Sequence, residues 1–69
     1  MGNFSKTEEF YKKALQTLSN LFGENNENVA WCYHQLGALF SDLSNLSKCE
    51  EFLMKSFKIY IVLAIYFMI

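Results

Sequence analysis

Apolar residues recur every three or four positions along most of this chain, with polar residues between them. The first run is Phe4, Phe10, Tyr11, Ala14, Leu15, Leu18, Leu21 and Phe22. At about 3.6 residues per turn, that spacing lays one apolar side on a helix. Ser5, three residues ahead of Glu8, reads as a capping box, and Gly23 stands where a helix closes in a left-handed turn. A polar loop over residues 23–28 follows. The second run, with Asn28 as its N-cap, is Val29, Cys32, Tyr33, Leu36, Gly37, Leu39, Phe40 and Leu43. The third opens at Ser47, again three residues before a glutamate, Glu50, and passes through Cys49, Phe52, Leu53, Ser56, Phe57 and Tyr60. The pattern therefore predicts helices over 4–22, 29–43 and 46–60, and an all-α fold of three antiparallel helices.

Past Lys58 the periodicity stops. The run from Ile59 to Ile69 is eleven uncharged residues, apolar on every side. As a helix it reaches only ~16 Å, half of a ~30 Å hydrocarbon core. Residues 61–69 are expected to form an apolar tail continuing the last helix, although their β-branched and aromatic content also suits a strand.

Residues 3–18 recur at 45–60 without a gap, and seven of the sixteen pairs are identical: Asn3/Asn45, Ser5/Ser47, Lys6/Lys48, Glu8/Glu50, Glu9/Glu51, Phe10/Phe52 and Lys13/Lys55. A repeat in this range signals stacked units that bury their apolar faces only against neighbours. The loop Gly23-Glu24-Asn25-Asn26-Glu27-Asn28-Val29-Ala30, with Tyr33, Leu36, Gly37 and Phe40 after it, resembles the tetratricopeptide repeat in its 42-residue, kinesin-light-chain-like variety. Cys49 and Ser56 fall at the two small positions of that pattern, and Leu53 at the large one. Thr7, Tyr11 and Ala14 mark the first helix as helix B of a preceding repeat. The resemblance covers residues 3–60 and gives the order B-A-B, a fragment of about one and a half repeats in an antiparallel helical-hairpin superhelix. Glu27 replaces the loop proline of the family, so a looser turn is expected.

The resemblance implies a scaffold that binds a protein or peptide. Its ligand-facing positions on helix A fall at Trp31, His34, Ala38, Ser41 and Asp42, with Gln35 beside His34 placed to contact a peptide backbone. A merely solvated helix face is the competing reading for His34, Gln35, Ser41 and Asp42. Packing against the preceding helix competes with a partner-anchoring role for Trp31.

Composition narrows the function further. Apolar residues make up 52%, charged residues 19%, and the net charge is −1. That apolar content excludes disorder, and all six cations are lysines without a basic patch, which argues against nucleic acid. His34 is the single histidine, with no nucleophile–base pair or metal spacing, so neither catalysis nor a cofactor is expected. Cys32 and Cys49 read as reduced packing residues of a cytoplasmic, intracellular protein. The alternative function is a small membrane-associated protein anchored through the run Ile59 to Ile69. Self-association is expected from uncapped repeat faces.

Overall fold

The computed structural model describes residues 3–68. Ile69, the last residue of the apolar run, lies outside them. Three helices follow one another: α1 (Phe4–Phe22), α2 (Glu27–Asp42) and α3 (Leu46–Met68), with no strand among the described residues. The all-α expectation holds.

Each helix opens on an asparagine. The Asn3 Oδ1 accepts the Lys6 N–H at 3.1 Å, and the Asn3 carbonyl accepts the Thr7 N–H at 3.0 Å. Asn45 repeats the arrangement, with Oδ1 accepting from Lys48 N–H at 3.2 Å and the carbonyl from Cys49 N–H at 3.0 Å. At α2, Asn26 Oδ1 accepts the Asn28 N–H at 2.8 Å. The predicted capping boxes at Ser5–Glu8 and Ser47–Glu50 are therefore displaced, because both serines already lie inside their helices. α2 likewise starts at Glu27 rather than 29, with Asn26 and not Asn28 as its cap. Asparagine and serine satisfy the free amides of a first turn about equally, and here the upstream asparagine is reached first.

The turns have distinct chemistry. Gly23 ends α1 at φ 82°, ψ 170°, a conformation that is essentially glycine's alone. α2 closes in a Schellman motif: Asn45 N–H donates to the Phe40 carbonyl at 2.9 Å, and Ser44 N–H to that of Ser41 at 3.0 Å. Ser44 takes the left-handed position at φ 59°, where glycine is usual. Asn45 thus closes one helix with its amide and opens the next with its side chain. Glu27 sits at the first helical position of α2, which suits proline equally and puts a carboxylate near the positive end of the helix dipole.

α2 is the middle layer. It buries Val29, Ala30, Cys32, Leu36, Gly37, Leu39 and Phe40, whereas α1 buries no residue and α3 only Ser56 and Ile59. Leu15 and Leu18 of α1 pack on Val29 and Ala30 from one side; Ile59 and Leu63 of α3 pack there from the other. The α2–α3 contacts run from Phe40 against Phe52 to Val29 and Ala30 against Ile59, so the two helices are antiparallel. No Cα of α1 lies within 8 Å of one in α3 among the described residues. Gly37 permits the closest approach, since a Cβ there would sit 2.9 Å from Leu53 Cγ and 3.3 Å from the Cys49 carbonyl oxygen.

α3 runs unbroken for 23 residues to Met68, carrying the apolar run on as helix rather than strand. Val62 and Leu63 remain half-buried, while Ile65, Tyr66, Phe67 and Met68 stand in solvent. Extents of 43 × 24 × 16 Å and a radius of gyration of 12.6 Å follow from that long rod. A compact chain of this length would have a radius near ~11 Å.

Candidate partner-binding face

Trp31, His34, Ala38, Ser41 and Asp42 lie on one side of α2, all exposed, and Gln35 is half-buried at its edge. Their spacing of three and four residues aligns them along the helix while the opposite side grips α3. Trp31 is 49% exposed. Its ring meets Tyr11 of α1 edge-on, with centroids 5.8 Å apart and planes at 65°. Tyr11 in turn meets Phe10 at 5.6 Å and 70°. The indole is held in place on one side and open on the other, so both readings of Trp31 contain part of the observed arrangement.

The polar members are unspent. Among the described residues, no side-chain hydrogen bond or ion pair engages His34, Gln35, Ser41 or Asp42. Ala38, between them, leaves the helix backbone approachable. Open depressions of the surface include one of about 240 Å³ between Glu24 of the α1–α2 turn and Lys55 and Val62 of α3, and two on α1.

Sequence reading missed a second feature. Phe52 of α3 stacks on two α2 rings, Tyr33 at 6.2 Å and Phe40 at 5.6 Å. Lys48 Nζ lies 5.6 Å from the Phe40 centroid, and Lys55 Nζ lies 5.6 Å from Tyr33 and 5.8 Å from Phe52. Such cation–ring contacts contribute about 0.5–1 kcal/mol each at exposed sites. The signal was present in the repeat, where Lys48, Phe52 and Lys55 are three of the identical pairs between its two halves.

Neither cysteine is bonded. Burial pushes the Cys32 thiol above its ordinary range, the wrong direction for a nucleophilic thiolate. Burial, with the Glu24 carboxylate adding to it, raises the Tyr33 phenol. Among the described residues, no three His, Cys, Asp or Glu side chains are grouped to hold a metal ion, and no helix is long and apolar enough to cross a membrane.

Comparison with curated proteins and with solved structures gives no match. The family profile of the tetratricopeptide repeat, however, matches residues 1–61, nearly the whole chain. With the helical hairpin, the glycine-mediated close approach and the small residues on α3, this match places the chain in the tetratricopeptide repeat family.

Proposed function

We propose that this chain is a protein-binding repeat module whose α2 face takes a partner peptide, and that it is of the 42-residue, kinesin-light-chain-like variety. The observation that carries the reading is Trp31, half-exposed and held edge-on by Tyr11 at the head of the His34–Ala38–Ser41 row. A rigid, partly desolvated indole is the commonest kind of interface anchor. His34, Gln35 and Ser41 supply donors and acceptors for a peptide backbone, Ala38 lets it approach, and Asp42 favours a cationic or amide group at one end. The 42-residue offset of the internal repeat supports the variety. Binding of this kind involves no chemistry, and the two free cysteines suit a reducing, cytoplasmic setting. The membrane-anchored reading is less well supported, since no helix among the described residues is long and apolar enough to cross a membrane.

Selection of peptides from a random display library against the intact chain tests this. Trp31→Ala and His34→Ala should each weaken the selected peptides, by about tenfold or more for Trp31, with the helical circular dichroism signal retained. Loss of helicity in parallel would reassign these residues to the core, and failure to select any binder would reject the face.

A further inference from the structure

A recess of about 240 Å³ lies where the α1–α2 turn meets the second half of α3. Glu24 and Asn25 of the turn form one wall and Tyr33 of α2 another. Lys55, Lys58 and Val62 of α3 close the third side, with the buried Ile59 among them. All of these walls belong to the chain itself, so no neighbouring repeat is needed to form the recess. Helical phase also keeps it clear of repeat stacking. Leu15 and Leu18 of α1 pack on the helix that follows, and their counterparts on α3 are Phe57 and Tyr60. At about 100° per residue, Lys55, Lys58 and Val62 lie nearly opposite those two.

The charges around the recess are positioned but not neutralised. On α1, Lys13 closes an ion pair with Glu9 at 2.9 Å. Its counterpart Lys55 has Glu51 at the same spacing, yet its Nζ lies 5.6 Å from the Tyr33 centroid and 5.8 Å from that of Phe52. Lys58 has no acid three or four residues away on either side. Across the recess, Glu24 is near enough to add to the burial that raises the Tyr33 phenol, which therefore stays protonated and able to donate. No ion pair joins Glu24 to either lysine among the described residues. Two ammonium groups against one carboxylate leave the lining a single excess positive charge.

We infer that this recess binds a small apolar monoanion of the alkyl or aromatic carboxylate class. The carboxylate sits between the Lys55 and Lys58 ammonium groups, and the apolar body covers Ile59 and Val62. One negative charge matches the excess of the lining, whereas a phosphate monoester, at about −1.5 to −2 near neutral pH, is opposed by Glu24. Size sets the rest. The recess falls below the ~300–1,000 Å³ of pockets for drug-sized ligands, which restricts the body to a short chain or a single ring. Lys55 loses little freedom on binding, because its head already rests over two rings. Trp31, His34 and Ser41 do not line the recess, so this inference and the α2 face stand or fall separately.

Titration of the intact chain with hexanoate, followed residue by residue in nitrogen–proton correlation spectra, tests the assignment. Saturable shifts are expected at Tyr33, Ile59 and Val62. Acetate, which lacks the apolar body, and hexanol, which lacks the charge, should not produce them at the same concentration. Lys58→Gln, which installs the residue already present at the counterpart Gln16, should weaken hexanoate about threefold or more. Glu24→Gln should tighten it about twofold or more, because a like charge is removed. Both positions are exposed, so both variants should keep their helical dichroism. Shifts centred on Phe57 and Ile61 would assign the ligand to the exposed side of α3 and overturn the inference. Equal binding of hexanol, no saturable binding of hexanoate, or an affinity that neither substitution moves would overturn it as well.

Discussion

Gly37 and Ser56 define how tightly two helices can pack when their contact residues are small. At Gly37, alanine would gain about 1 kcal/mol in helix propensity. Its Cβ would meet Leu53 Cγ and Cδ2 at 2.9 Å, so the leucine side chain must shift, and the Cys49 carbonyl oxygen at 3.3 Å, on a backbone that yields less easily. Overpacking of that kind costs about 1–3 kcal/mol, so the contact outweighs the propensity. Gly37→Ala should lower the melting temperature in thermal unfolding. Introduced together with Leu53→Ala, the same Gly37→Ala change should have a smaller further effect, because only the 3.3 Å contact with the Cys49 carbonyl oxygen then remains. Ser56 gives the opposite sign. It is fully buried and its Oγ has no hydrogen-bond partner among the described residues. Ser56→Ala removes an unsatisfied hydroxyl at a position where the other half of the repeat, Ala14, already has alanine. Stability should stay level or rise by up to about 1 kcal/mol by the same measurement. A drop of similar size would mean that the hydroxyl has a partner in solution.

At the scale of elements, the helices open where asparagine, rather than serine, can reach the free amides. Asn45→Ala should cost about 1 kcal/mol, because it takes the cap from α3. Ser47→Ala, already inside the first turn, should change stability by less than about 0.5 kcal/mol. Equal losses in urea unfolding would restore the serine capping box. The displacement shows what was legible in the sequence. Apolar spacing of three and four residues gave the number and kind of elements, since it depends only on the helical repeat. The caps were not, because Asn3 and Ser5, or Asn26 and Asn28, are chemically interchangeable candidates two residues apart. The end of α3 was equally opaque: residues 59–69 are apolar on every side, so periodicity carries no stop signal. On the α2 face, helical phase put Trp31, His34, Ala38, Ser41 and Asp42 together on one exposed side. The lysine–aromatic stack between helices depends on interhelical register, which single-helix periodicity does not encode.

Over the whole molecule, the three helices form a layer with α2 inside and both outer helices bare on their far sides. α3 is the more apolar of the two exposed surfaces. Met54, Phe57, Ile61 and Ile65 follow one another at spacings of three and four, each more than half exposed. The internal repeat states what such a surface does when covered: Phe57 and Tyr60 occupy the positions of Leu15 and Leu18, which pack on α2. A continuous apolar stripe of this length on a small chain drives association, since its burial removes more unfavourable hydration than the charged α1 surface would. The chain should therefore sediment as a concentration-dependent mixture of monomer and dimer. Phe57→Glu, which puts a charge in the middle of the stripe without touching the buried Ser56 and Ile59, should leave only monomer, whereas Phe10→Ala should leave the mixture unchanged. A monomer at all concentrations in the unaltered chain would mean that the α3 stripe tolerates water.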